Sequence, residues 1–174
     1  MLKTVNKNIT IEDKLYNNML LLSRNEIFYT KFNLSDTFQN RIHLIFLHIA
    51  FVFNKVKQTN EKNIYKSFYQ KVFDTLFKHI ELNMREIGYG DVSVNKNMKF
   101  LITNFYNILI FCEQFNKKNS NEKSNFLAKY LNTNIHVKRQ DYTLIIKYFD
   151  KYQTFCLDLA SDSVLKGNLK FDYK

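Results

Sequence analysis

The stretch IYKSFYQKVFDTLFKHIELNMREIGYGD, residues 64–91, decides the fold class. Ile64, Tyr65, Phe68, Tyr69, Val72, Phe73, Leu76, Phe77, Ile80, Met84 and Ile87 recur at spacings of three and four, which places them on one wide face of an α-helix. Lys66, Gln70, Asp74, Lys78, Glu81 and Arg85 mark the polar side. Asp74–Lys78 and Glu81–Arg85 are acid-first pairs at i,i+4, the favourable orientation, worth roughly 0.2–0.5 kcal/mol each. The helix is predicted to end at Gly88-Tyr89-Gly90-Asp91, where two of the three glycines of the chain fall. Gly88 suits the left-handed position that closes a helix, and Asp91 or Ser93 is placed to cap the next one.

Outward from this helix the same period continues. Upstream, a first helix is expected from about Glu12 to Arg24, then a short aromatic helix at Ile27-Phe28-Tyr29. A long helix follows, capped by Ser35 or Asp36, with Phe38, Ile42, Ile45, Phe46, Ile49, Phe53 and Val56 on its apolar side. Nearly every position from 44 to 53 is apolar, so this helix should be contacted on most sides. Downstream, helices are expected at about Val94–Phe115, Phe126–Leu131 and Tyr142–Leu159. A polar loop is expected at 116–124, and a frayed or loosely docked tail after Ser161. No proline interrupts the 174 residues, and the regular turn signals of a β-sandwich or barrel are missing. The expected fold is therefore all-α, one compact bundle of six or seven helices forming a single domain over 1–174.

Composition narrows function less sharply. The chain holds 17 Phe and 11 Tyr with no Trp, alongside abundant Asn, Lys and Ile, a profile that an AT-rich genome produces without functional selection. The net charge of +10 is spread along the chain rather than gathered in an arginine-rich block. It fits lysines filling solvated helix faces, and it equally fits attraction to RNA, ribosomes or anionic lipid. Cys112 and Cys156 lie far apart in apolar surroundings, which speaks for a reducing compartment and against a disulfide framework or zinc site. The longest apolar run, Leu44–Phe53, is broken by His48 and is about half of the ~20 residues a spanning helix needs. Any membrane contact is expected to be peripheral.

Two sequence blocks resemble the ubiquinol–cytochrome c chaperone family. The first comprises Phe28-Tyr29, Asp36-Thr37-Phe38-Gln39-Asn40-Arg41, Leu44 and Leu47-His48. The second is more specific: Phe73-Asp74-Thr75-Leu76-Phe77, then Met84-Arg85-Glu86-Ile87-Gly88-Tyr89-Gly90-Asp91, then Val94, Lys96, Met98 and Lys99, closing on Phe105-Tyr106. The resemblance spans about Phe28 to Leu131. It departs at Asn95, where the family usually has proline or glycine, and at Asn107-Ile108, which stand where the family has glycine and arginine.

That resemblance implies a non-catalytic, cofactor-free assembly factor for the respiratory cytochrome bc complex. The implied client is newly made cytochrome b, met at the ribosome or membrane. A small partner protein is a further implied contact; peripheral contact with anionic lipid is expected from the lysine-rich surface, and no specific DNA contact. The implied setting is the cytoplasmic face of the inner membrane in a bacterium, or the matrix side in a mitochondrion. On this reading Arg85, Asp91, Lys96 and Lys99 form a polar edge facing a client or ribosome, together with Arg41, His48 and Asp74. Phe28, Tyr29, Phe105 and Tyr106 are candidates for an apolar groove, with ordinary core packing as the rival for each.

The residues alone leave other readings open. The Arg85–Asp91 run is not a phosphate loop, because no strand precedes it and Asp91 repels anions. It also fits a plain helix–helix turn. His43 and His48 are not at metal-ligand spacing on one face, and His79 and His136 lack acidic partners three or four residues before them, so no metal site is expected. His48 is expected to be buried and bonded to Asp36, Arg41 or Asp74. A basic RNA-binding protein, a small-molecule binder and an enzyme using Arg85, Asp91 and His48 are the alternatives.

Overall fold

The computed structural model describes residues 9–58, 62–133 and 141–173. Six long helices carry the fold: α1 (Ile11–Ser23), α3 (Phe38–Lys57), α4 (Lys62–Glu86), α5 (Asp91–Glu113), α6 (Ser120–Tyr130) and α7 (Thr143–Asp158). Two short ones, α2 (Ile27–Thr30) and α8 (Ser161–Leu165), sit between and after them. Among the described residues there is no strand, only one isolated bridge between Leu34 and Thr133. The protein is all-α.

The α3 helix is the axis. Every residue from Ile42 to Phe53 is buried, because α1, α4, α5, α7 and α8 all pack around it. Its start is set by Thr37, whose hydroxyl accepts from the Asn40 amide at 3.2 Å; neither Ser35 nor Asp36 is the cap. Asn40 is fully buried and fastens this end to the segment after α6. Its side-chain amide donates to the carbonyls of Ser35 and Asn132 at 2.7 Å each, and its oxygen accepts from the Asn132 amide at 2.9 Å.

The α4 helix turns Phe68, Val72, Leu76, Phe77, Ile80 and Met84 inward, as the period predicts. Ile64 and Ile87, at the two ends of the stripe, are instead 41% and 56% exposed, each in an open hollow beside α1. Of the two surface pairs, Glu81–Arg85 forms, whereas Asp74 accepts a hydrogen bond from Gln70. The helix closes in a Schellman turn: the Gly88 amide donates to Arg85 and the Tyr89 amide to Met84, both at 3.0 Å. Gly88 holds φ +95°, a region where a Cβ is penalised. The substitution Gly88→Ala should cost about 1–2 kcal/mol, read as a lower urea midpoint at unchanged m-value. An unaltered midpoint would show that the turn relaxes without loss. Gly90, not Asp91 or Ser93, occupies the cap position of α5.

Two further expectations are corrected. The polar stretch 116–124 is only partly loop. Asn119 and Glu122 form a reciprocal capping box that starts α6 at Ser120, six residues before the first apolar residue of the predicted helix. The segment after Ser161 is docked rather than frayed. Val164 and Leu169 are buried, and the rings of Phe171 and Tyr173 pack on Tyr148, 5.5 and 4.9 Å between centroids. Gly167 (φ +66°) lies against α1, where its carbonyl accepts from Asn18 at 2.9 Å and a Cβ would come within 3.2 Å of the Ile11 carbonyl.

Candidate functional site: an apolar cleft at the Gly88 turn

The start of α3 and the end of α4 meet at one end of the bundle, with the second half of α1 on one side and the first turns of α5 on the other. Two open cavities lie here, side by side. The first, about 230 Å³, is walled by Leu20 of α1, Ile42 and Ile45 of α3 and Ile80 and Ile87 of α4, with Arg24, Arg41 and Glu86 at its edges. The second, about 80 Å³, lies between Met84, Tyr89, Asn97 and Phe100. Phe38 and Ile42 line both, so the two adjoin as one cleft at the start of α3, mainly apolar in its larger part and mixed in its smaller part.

The cleft follows from local structure. The Schellman turn bends the chain so that Met84 and Tyr89 face the same hollow. Because α4 outruns its neighbours, Ile87 and Tyr89 remain 56% and 41% exposed at the rim. Phe100, 52% exposed, stands on the α5 side. Large apolar side chains exposed around a hollow mark a surface that takes an apolar partner.

Charged clasps hold the two rims. Arg41 gives two parallel hydrogen bonds to Asp36, at 2.7 and 2.8 Å, and its guanidinium lies 5.9 Å from the Tyr29 ring. The Arg41 hydrogen bonds hold the Asp36 carboxyl below the usual carboxylate range. Tyr29 donates to the Ser23 carbonyl at 2.6 Å, and burial raises its pKa. Across the turn, Arg85 reaches both Glu81, at 3.0 and 3.1 Å, and Asp91. Arg85 and Asp91 thus neutralise each other and staple α4 to α5. Lys96 and Lys99 are exposed on α5, beyond the cleft.

The sequence-nominated residues therefore divide. Arg41 and Tyr29 support the rim and Arg85 and Asp91 clasp the turn, while Lys96, Lys99 and exposed Tyr106 belong to the outer side of α5. Asp74 is exposed on α4, and its carboxylate is engaged by Gln70. Phe28, His48 and Phe105 are fully buried and line no cleft. For Phe28 and Phe105 ordinary core packing is the correct reading, because helices cover each on every side. The partners expected for His48 are also corrected. Its Nδ1 donates to the Leu44 carbonyl at 2.6 Å, and its Nε2 accepts from the Tyr148 hydroxyl at 2.8 Å. His136 lies outside the described residues. Both cysteines are buried and free, and burial pushes the Cys156 thiol up to about 12.

Comparison with known proteins places this architecture. The sequence profile of the ubiquinol–cytochrome c chaperones matches residues 30–171. The chain belongs to that family. The match runs well past Leu131, where the resemblance read from the residues stops. The crystal structure of the Cbp3 homologue from Brucella abortus has the same fold, with a TM-score of 0.77 at 20% identity, covering 94% of this chain and 89% of that one. No curated protein matches in sequence.

Within the family frame, both signature blocks contribute to the cleft. Phe38, Gln39 and Arg41 come from the first, and Met84, Glu86, Ile87 and Tyr89 from the second. The departure at Ile108 is structural: this side chain is fully buried, so the residue replacing the family arginine fills core rather than facing a partner. Leu20, Ile42, Ile80 and Phe100 were not nominated from sequence. Their helical spacing is that of core residues, and nothing in one dimension distinguishes a wall of a cleft from a wall of a core.

Proposed function

We propose that this protein is an assembly chaperone of the respiratory cytochrome bc complex that holds an apolar segment of newly made cytochrome b in the cleft at the Gly88 turn. Family membership supports a binding role rather than catalysis. The observation that carries the reading is the convergence of both family blocks on one open apolar hollow rimmed by Ile87 and Tyr89. A transmembrane segment outside the bilayer needs cover for its apolar side chains. Phe38, Tyr89 and Phe100 supply aromatic area for that, and Met84 adapts in shape. Arg41–Asp36 fixes the start of α3 and Arg85–Asp91 ties the end of α4 to the start of α5, so each clasp steadies one rim of the cleft. The dispersed positive charge brings the protein to the ribosome or to anionic lipid, with or without a small partner protein, and the resulting association is peripheral. Among the described residues no helix is long and apolar enough to cross a membrane.

The test is a photocrosslinking phenylalanine analogue at position 89 in the source cells. Cytochrome b should dominate the adducts. Ile87→Asp, at an exposed rim position, should reduce that adduct by about tenfold or more without altering thermal unfolding. Adducts made of RNA or of unrelated soluble proteins, or indifference to Ile87→Asp, would remove the assignment.

A further inference from the structure

The outer side of α5 carries side chains that neither the core nor the cleft explains. Val92 is 84% exposed, Ile110 66% and Tyr106 44%, and all three fall on one arc of the helix together with Lys96, Lys99 and Phe100. The stretch from Val92 to Ile110 is about 27 Å long at 1.5 Å per residue. Its exposed positions hold apolar residues, lysines and neutral polar residues, and no carboxylate. The acids that bracket it are both occupied: Asp91 pairs with Arg85 and Glu113 with Lys57, the latter at 2.7 Å. Neither Lys96 nor Lys99 is held in an ion pair among the described residues. Half-buried Tyr65, Tyr69 and Phe73 of α4 continue the surface beside Tyr106, the Phe73 and Tyr106 rings being 6.0 Å apart.

We infer that this face of α5 is a membrane-docking surface that lies in the headgroup region of an anionic bilayer. The inference deepens the peripheral association in the proposed function and rests on it. The argument is one of chemistry and arrangement. On α5 the lysines and the apolar side chains interleave along the same arc, whereas a protein partner ordinarily meets an apolar centre with a polar rim. An interleaved arc fits a partner that offers anionic groups and hydrocarbon at nearly the same depth. The headgroup–acyl boundary of an anionic membrane offers both, since lysine stems lie along apolar side chains while their ammonium groups reach up to the phosphates. Tyr106, exposed and amphipathic, has the form that favours this boundary. Phe100 belongs to both surfaces, since it also lines the cleft. Seating α5 on the bilayer therefore sets the cleft beside the membrane, where an emerging apolar segment is met.

The experiment is vesicle flotation of the full chain. Two lipid compositions are used: phosphatidylcholine alone, and phosphatidylcholine with about one-third phosphatidylglycerol. The protein should float with the anionic vesicles and not with the neutral ones. The pair Val92→Ser and Ile110→Ser, neither of which lines the cleft, should weaken binding about tenfold. Lys96→Gln and Lys99→Gln should weaken it about fivefold each, with a shallower salt dependence. No flotation with anionic vesicles overturns this inference together with the lipid contact it rests on, and leaves cytochrome b capture standing. Flotation unaffected by the α5 substitutions overturns the assignment of the surface alone. Loss of cytochrome b adducts with intact flotation in the Val92→Ser, Ile110→Ser protein means that the face contacts a protein instead, which also overturns it.

Discussion

Replacing Phe105 by alanine should lower stability by about 3–5 kcal/mol, the largest effect expected of any single substitution discussed here. The ring is fully buried where α3, α4 and α5 meet. It packs against Phe46 at 5.1 Å, Phe77 at 5.7 Å, Phe73 at 5.8 Å and Phe53 at 6.1 Å between centroids. Four rings cannot close over the void together, since each is already held in an edge or tilted contact with a neighbour. The loss is therefore transfer energy plus a lasting cavity. Urea unfolding followed by helical circular dichroism gives the measurement, with the midpoint falling and the slope preserved. Tyr106→Ala, one residue along but 44% exposed, provides the contrast and should cost well under half as much. A Phe105→Ala protein that keeps its midpoint but fails to hold its client would restore the groove reading of Phe105 and contradict the packing seen here.

Acidification should destabilise the fold between about pH 6.5 and 4, a range in which most carboxylates remain charged. His48 and His43 are buried on α3 and both are neutral. In each, Nδ1–H donates to a backbone carbonyl, of Leu44 for His48 and of Tyr130 for His43. A carbonyl only accepts, so Nε2 is the unprotonated nitrogen. It accepts from the Tyr148 hydroxyl in His48 and from the Asn104 amide in His43. Burial lowers both pKa values, that of His48 from 6.5 to about 4. The unfolded chain therefore takes up protons first as pH falls. The His48 contribution is complete above pH 6.5 and is lost as pH drops through about 4. A separation of about 2.5 units corresponds to about 3 kcal/mol from His48 alone, with His43 adding in the same direction. The urea midpoint should fall from pH 7 to pH 5, by the equivalent of about 2 kcal/mol for His48. A midpoint that stays level over that interval would mean that these histidines charge as easily in the fold as outside it.

Helix positions were largely legible in the sequence, because the 3.6-residue period of α4 and the unbroken apolar run of α3 survive intact in the packing. Helix starts were less so. Thr37, Ser35 and Asp36 are all competent caps, and only the geometry that lets Thr37 reach the Asn40 amide selects among them. The beginning of α6 was missed because its first turns are polar, stabilised by the Asn119–Glu122 box rather than by apolar contacts. The candidate site was legible as two strings of residues and not as a place. Nothing along the chain shows that Phe38 and Tyr89 border one hollow. Ile87 continues the buried period of α4, and its exposure depends on where the neighbouring helices end. The same limit left Phe28 and Phe105 open between a groove and the core: aromatic residues next to a family motif look alike whether they face a client or the core.

One wall of the cleft has an unexpected guardian. Leu20 stands on α1, and α1 is gripped near its start by the segment after α8, through Asn18 to the Gly167 carbonyl and Lys14 to Asn168 at 2.5 Å. The span between the α1 wall and Ile87 is thus governed by residues more than a hundred positions away in the chain. A truncation after α8 that removes Gly167 and Asn168 takes both contacts from the helix that carries Leu20. A purification tag there is not a neutral choice for anyone assaying client capture.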